Sequence, residues 1–152
     1  MSYDTGVLAA LAIFGVFGAI IGIAFYVFYA FALYKLAQKR GVDMAWLAWI
    51  PVAQMYVIGK MVKTVKISTF EVPSLEIVLP VGMLAAMLLG AIPLIGWLIY
   101  LAFLVLVVLT AYNLYKQYVP EQAVLYTVLS IFGITIPFFF LKFSKMDPVN
   151  LP

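Results

Sequence analysis

The chain contains no cysteine and no histidine, and few of its residues carry a charge. Without cysteine there are no disulfides, thiolate metal ligands or cysteine nucleophile, and without histidine the most common general base and metal ligand is missing. Only 10% of the residues are charged, against about 25% in soluble globular domains. The acidic residues lie outside the middle of the apolar runs, where proton and ion carriers usually place their carboxylates. We therefore expect no catalytic site, no metal site and no cofactor.

Apolar residues dominate the remaining composition. They make up 67% of the 152 residues, and the mean hydropathy is +1.17. A soluble domain of this size leaves too much of its surface in water to hide so much apolar area. This excludes a soluble enzyme, a disordered chain and a nucleic-acid-binding domain. The net charge of +3 fits Lys and Arg on the cytoplasmic side of a membrane better than it fits nucleic acid. The sequence predicts an all-α integral membrane protein.

Uncharged runs predict where the chain crosses the bilayer. A helix needs about 20 apolar residues to cross the ~30 Å hydrocarbon layer. The run from Ile77 to Tyr115 is too long for one crossing, and Gly90 and Pro93 predict a turn inside it. We expect a single membrane domain over residues 1–152, a four-helix transmembrane bundle with spans at about 7–34, 73–90, 94–115 and 122–141. The first run is too long for a signal peptide and lacks a basic residue before it.

The segment 44–66 does not fit a span, because it is short and contains Pro51. If it crossed, Lys60 and Lys63 would lie opposite Lys39 and Arg40, against the positive-inside rule. An interfacial or re-entrant helical segment keeps these charges on one side. The predicted location is therefore the bacterial cytoplasmic (inner) membrane, with several spans and with both termini outside.

A stripe of aromatic and basic side chains marks this segment. At 100° per residue one helix face carries a set of residues typical of the headgroup layer: Trp46, Trp49, Tyr56, Lys60 and Lys63. Aromatic rings there fix depth, and Lys reaches lipid phosphates. We expect an anchor to an anionic inner leaflet, or alternatively a binding groove for a partner or a lipid-like ligand.

Small residues at helical spacing predict close helix contacts, since helices in lipid associate by close packing. They occur on the predicted first and second spans: Gly15, Gly18, Gly22, Gly82, Ala86 and Gly90. Two interpretations stay open, packing inside one bundle and an interface with a second copy or another membrane protein.

The block AWLAWIPVAQMY at 45–56, followed by Lys60, resembles a block in a family of small bacterial multi-span membrane proteins that have no assigned function. Their block carries a Trp, an Ile-Pro pair, usually an Asn three residues after the Pro, then Tyr and Lys. Gln54 stands at the Asn position here, and Ile92-Pro93 matches a second Ile-Pro unit downstream. The resemblance implies a bacterial envelope protein and names no activity.

Two functions of different classes follow from these patterns. The first is a structural or interaction subunit that assembles with another membrane protein or with itself, and that is not an enzyme. The alternative is an oligomeric small-solute or ion channel or carrier. A channel needs a polar path, for which the candidates are Gln54, Thr110, Asn113, Thr127, Ser130 and Thr135.

Overall fold

The computed structural model describes residues 4–67 and 69–152. Of these described residues 73% are helical, including two 3₁₀ turns, and they form six α-helices. In chain order the elements are α1 (Thr5–Lys39), α2 (Pro51–Val62), β1 (Val65–Ile67), β2 (Phe70–Val72), α3 (Leu75–Leu89), α4 (Ile95–Lys116), α5 (Ala123–Ser130) and α6 (Ile136–Phe143). Short 3₁₀ turns at Ala45–Trp49 and Pro120–Gln122 precede α2 and α5. The strands form an antiparallel ribbon in which Lys66 lies opposite Glu71.

Two helices, α1 and α4, are long and apolar enough to cross a membrane. The predicted bundle of four spans is not confirmed. Helix α3 has only 15 residues, and the predicted span 122–141 is two helices of eight residues each. The break lies at Gly133, whose φ is +71°, and the Ile134 N–H donates to the Phe132 carbonyl at 2.8 Å. Such a tight γ-turn with positive φ cannot continue a helix.

Helices α5 and α6 fold back on each other. The ring of Tyr126 on α5 lies 4.5 Å from that of Phe139 and 5.6 Å from that of Phe143, both on α6. In one continuous helix, residues 126 and 143 would be ~25 Å apart. The segment is therefore a helical hairpin whose two ends lie close together.

The carboxyl-terminal half of α1 is part of the folded body, where Ala30, Leu33 and Leu36 are fully buried. Helix α6 runs parallel to this half of α1, and the ring centroids of Phe28 and Phe138 are 5.1 Å apart. The other half of α1, residues 5–25, is exposed along its whole length. Because α1 extends for ~52 Å at 1.5 Å per residue, this half projects well beyond the body.

The ends of α1, α2, α4 and α6 meet where α3 and α5 begin, and we call this the charged end. Three long-range contacts define it. Lys39 pairs with Asp147 at 2.7 Å, the Leu75 N–H donates to the Lys63 carbonyl at 3.1 Å, and the Val149 N–H donates to the Gln117 carbonyl at 2.7 Å.

Every charged side chain of the described residues except Asp4 lies at or within one or two helical turns of the charged end. The carboxyl-terminal segment also lies there, whereas Asp4 is at the far end of α1. The expectation that both termini lie outside the membrane stays a prediction, because no membrane side is established for either segment. The hairpin at 122–141 argues against it, since a hairpin brings the carboxyl-terminal segment back to the end of the body at which α5 begins.

Three hairpin tips lie away from the charged end, at Ile50–Pro51, at 90–94 and at 131–135. At the first tip the Tyr26 hydroxyl donates to the Trp49 carbonyl at 2.5 Å, and the Gln54 amide donates to the Ala48 carbonyl at 2.9 Å. The backbone is extended at Ile50, so neither carbonyl can accept a helical N–H from α2, and side chains supply the donors.

The third tip is closed in the same way. The Thr135 hydroxyl donates to the Leu129 carbonyl at 2.8 Å, and the Ser130 hydroxyl donates to the Tyr126 carbonyl at 2.8 Å. Ser130 also shares a 2.6 Å hydrogen bond with the Tyr115 hydroxyl of α4. The sequence analysis named Ser130 and Thr135 as candidates for a polar path, and in the structure both hydroxyls bond backbone carbonyls beside this reversal of the chain.

Helices α2 and α3 pack closely at Gly59. A Cβ at this position would overlap the backbone of Leu75 and Glu76. Only glycine allows the two helix backbones to come this close, and the short β1–β2 ribbon joins them. The core between the helices is apolar and includes Val57, Leu79 and Leu114.

We expect Gln54→Leu to lower the free energy of unfolding by about 1–3 kcal/mol, because it leaves the buried Ala48 carbonyl without a donor. Gln38→Leu is the matched control, since Gln38 bonds an exposed Tyr34 hydroxyl and its loss changes stability by only about 0.5 kcal/mol. Denaturant unfolding of the detergent-solubilised chain measures both. Equal effects of the two substitutions would contradict the role given to Gln54.

Candidate functional site

The predicted aromatic and basic stripe is divided at the first hairpin tip. Trp46 and Trp49 lie in the 3₁₀ turn and are 57% and 41% exposed. Tyr56 and Lys60 lie on α2, where the Lys60 ammonium is 5.7 Å from the centroid of the Tyr56 ring. Lys63 follows the end of α2 with φ +65°. The structure keeps Tyr56 and Lys60 together, while the Trp side chains belong to the other arm of the hairpin.

A hydrogen-bond network around Arg40 holds the charged end together. Its guanidinium donates to the Gln117 Oε1 at 2.6 Å, to the Tyr118 hydroxyl at 3.3 Å and to the Met61 carbonyl at 3.0 Å. Gln117 also donates to the Met61 carbonyl, at 3.2 Å. The planar fork of Arg joins α1, α2 and the end of α4 in a way that the point charge of Lys cannot.

Arg40 was recognised in the sequence only as one of several positive charges. Its partners Gln117 and Tyr118 are nearly 80 positions away along the chain. No local pattern links residues so far apart, so the network was missed.

The charged end presents two clefts, and Leu151 and Pro152 contribute to the lining of both. One has a volume of about 270 Å³ and is lined by Arg40, Lys60 and Lys63. The other has about 440 Å³, and Lys66 and Lys116 are among its lining residues. Within the described residues the ion pairs are Lys39–Asp147 and Lys66–Glu71, so most of this basic charge has no carboxylate partner. The surface is suited to anions such as phosphate groups.

An apolar cavity of about 150 Å³ lies in the middle of the body. Five helices contribute to its wall, with Tyr29 from α1, Met55 from α2, Leu79 from α3, Val107 from α4 and Phe140 from α6. No pattern in the sequence indicated it, because its wall comes from parts of the chain that are distant in sequence.

The predicted helix-packing residues divide into two groups. A Cβ at Gly82 would lie 3.0 Å from the Phe103 ring, and one at Gly90 would overlap Tyr100, so both are at the α3–α4 contact. Ala86, between them on α3, is 3% exposed.

The second group lies on the projecting half of α1. Gly15, Gly18 and Gly22 have no other part of the described chain within 4 Å of a built Cβ. These three glycines therefore make no close helix contact within the described part of the chain, and their contact with another chain stays a prediction.

Comparison of the chain with protein-family models, with curated proteins and with solved structures gives no match. The resemblance of the Ile50-Pro51 block to a bacterial family therefore stays a prediction.

We expect Arg40→Lys to destabilise the fold by about 1–3 kcal/mol, because one ammonium cannot replace the bonds to Gln117, Tyr118 and the Met61 carbonyl. Lys39→Met is the control, because the Lys39–Asp147 pair is largely exposed and such pairs contribute about 0–1 kcal/mol. Thermal unfolding in detergent compares the two variants. A smaller effect at Arg40 than at Lys39 would disprove the central position of this network.

Proposed function

We propose that the protein is an integral component of the bacterial cytoplasmic membrane and acts as an interaction subunit, through the projecting half of α1. One observation carries the proposal: residues 5–25 are apolar, helical and covered by no other part of the described chain. Phe14 and Phe17 there are 77% and 62% exposed. A soluble monomer rarely exposes so large a continuous apolar surface.

The dimensions of this segment support a crossing. Residues 5–25 extend for ~31 Å as a helix, which matches the ~30 Å hydrocarbon layer. The helix continues without interruption into the body, where Ala30, Leu33 and Leu36 are buried. This continuity between the apolar segment and the buried part of α1 supports a transmembrane helix that is an integral part of the fold.

The distribution of charge supports an orientation. All nine basic residues lie at or near the charged end, and Asp4 is at the opposite end of α1. By the positive-inside rule we place the charged end, including the carboxyl-terminal segment, in the cytoplasm. Lys60, Lys63 and Lys116 would then face an anionic inner leaflet, where each contributes about 1 kcal/mol to attachment.

The alternative, a channel or carrier, has less support. Each candidate for a polar path is hydrogen-bonded to a nearby backbone carbonyl of the chain itself: Gln54, Thr110, Asn113, Thr127, Ser130 and Thr135. These groups satisfy the backbone and leave few donors or acceptors for a solute. The central cavity is apolar, and Tyr115 and Phe140 in its wall are buried.

The small residues on α1 define the side of the helix at which we expect the interaction. Gly15, Gly18 and Gly22 are spaced by three and four residues, so they share one side of α1. Small residues let a second helix approach closely in lipid. The opposite side carries Val16 and Ile20.

We expect Gly18→Leu to weaken assembly without weakening the fold. No atom of the described chain lies near a Cβ at this position, and Leu favours a helix more than Gly. Ile20→Leu, on the opposite side of α1, is the control and should assemble as the unmodified chain does. The assay is purification of a tagged chain from native membranes in mild detergent, with a second, differently tagged copy co-expressed.

The unmodified chain should recover either the second copy or one other membrane protein in stoichiometric amount. In Gly18→Leu this recovery should fall by about tenfold, which corresponds to a loss of ~1.4 kcal/mol of binding free energy. If the unmodified chain recovers neither, or if Gly18→Leu and Ile20→Leu recover equal amounts, the helix faces lipid alone and the proposal fails.

A further inference from the structure

The chemistry of the apolar cavity limits what it can hold. The Thr110 hydroxyl donates to the Leu106 carbonyl at 2.7 Å, and the Tyr115 hydroxyl is paired with Ser130 at 2.6 Å. The rest of the wall is aliphatic or aromatic, apart from the hydroxyl of Tyr29. A polar solute would lose its hydration here and gain few hydrogen bonds, whereas a hydrocarbon would gain dispersion contacts.

The volume fits part of a hydrocarbon chain. An engineered apolar cavity of about 150 Å³ in another protein stays free of water and binds benzene. The cavity in this chain has about the same volume and a similar lining. It is therefore large enough for the end of an acyl or isoprenoid chain and too small for a whole lipid.

The direction of access is set by which wall residues are buried. Toward the charged end, Leu114 and Tyr115 are 1% exposed, and beyond them Tyr118 and Phe143 stack at 4.8 Å between ring centroids. Away from that end the lining is only half-buried, at Met55, Val107 and Ile136. The cavity is thus closed toward the charged end and accessible from the side of the hairpin tips.

We propose that this cavity binds the end of a hydrocarbon chain that enters from the side of the hairpin tips, as the acyl chain of a membrane lipid would. The inference rests on the proposed membrane location, because only a bilayer places hydrocarbon at the tips. An isoprenoid chain has the same chemistry and would enter in the same way.

The test uses the full chain in lipid nanodiscs with a phospholipid that carries a photoactivatable diazirine at the end of one acyl chain. Mass spectrometry of the cross-linked peptides locates the adducts. We expect adducts at Val107, Ala111 and Ile136, in addition to those on lipid-exposed positions such as Leu104. Competition by unlabelled phospholipid or by polyisoprenol shows which of the two chain types the cavity prefers.

Cavity-filling variants decide whether those adducts report binding in the cavity. Ala111→Leu should reduce them by about tenfold, because the Leu side chain occupies volume in which the hydrocarbon would make its dispersion contacts. Ala102→Leu makes the same change on the exposed side of α4 and should leave them unchanged. If Ala111→Leu does not fold, Ile136→Phe fills the cavity from α6 instead and should have the same effect.

Two outcomes would overturn the inference and are distinguishable from each other. Adducts at Leu104 without adducts at Val107, Ala111 and Ile136 would leave the membrane location intact and exclude the cavity as a site. Cavity adducts that persist in both filling variants would show that the probe reaches these residues without binding there. Absence of adducts at Leu104 as well would refute the membrane location itself, and with it the proposed function.

Discussion

Satisfying backbone carbonyls at the hairpin tips is the constraint on which the rest of the structure depends. A chain that reverses direction in an apolar environment exposes carbonyls that water cannot satisfy. At the first tip, Tyr26 and Gln54 supply the missing donors, and at the third tip Thr135 does so. These bonds allow short helices to form hairpins that turn back before reaching the length of a full crossing.

This use of polar groups shapes what the protein can do. The amides and hydroxyls proposed for a polar path are hydrogen-bonded to backbone carbonyls of the chain itself, at Gln54, Thr110, Asn113, Thr127, Ser130 and Thr135. The charges are collected at the end where the hairpins begin, and Arg40 joins α1, α2 and α4 there. What remains free is an uncovered helix, a basic surface and an apolar cavity, all of which are suited to contacts with lipid or with another membrane protein.

The sequence predicted the helical character of the chain, the positions of α1 and α4, and the turn at 90–94, because hydropathy and proline act locally. It did not predict that 122–141 folds back, since its composition matches that of a span and the reversal depends on Gly133, with φ +71°. The Arg40–Gln117 contact, the close approach at Gly59 and the cavity depend on residues far apart in sequence. Of the predicted site residues, Tyr56 and Lys60 are neighbours on α2. The hairpin tip at Ile50–Pro51 separates them from the two Trp side chains.

The central claim is that all the hairpins begin at one end of the body, and the labelling of single introduced cysteines tests it most directly. The chain has no native cysteine, so only the introduced residue can react. Asp43→Cys, Val149→Cys and Gly6→Cys are labelled in separate chains with a membrane-impermeant maleimide, in intact cells and in inverted vesicles. The account predicts that Asp43→Cys and Val149→Cys react only in inverted vesicles and that Gly6→Cys reacts only in intact cells. Labelling of Val149→Cys in intact cells, with Asp43→Cys protected there, would contradict it, because 122–141 would then cross the membrane as a single span.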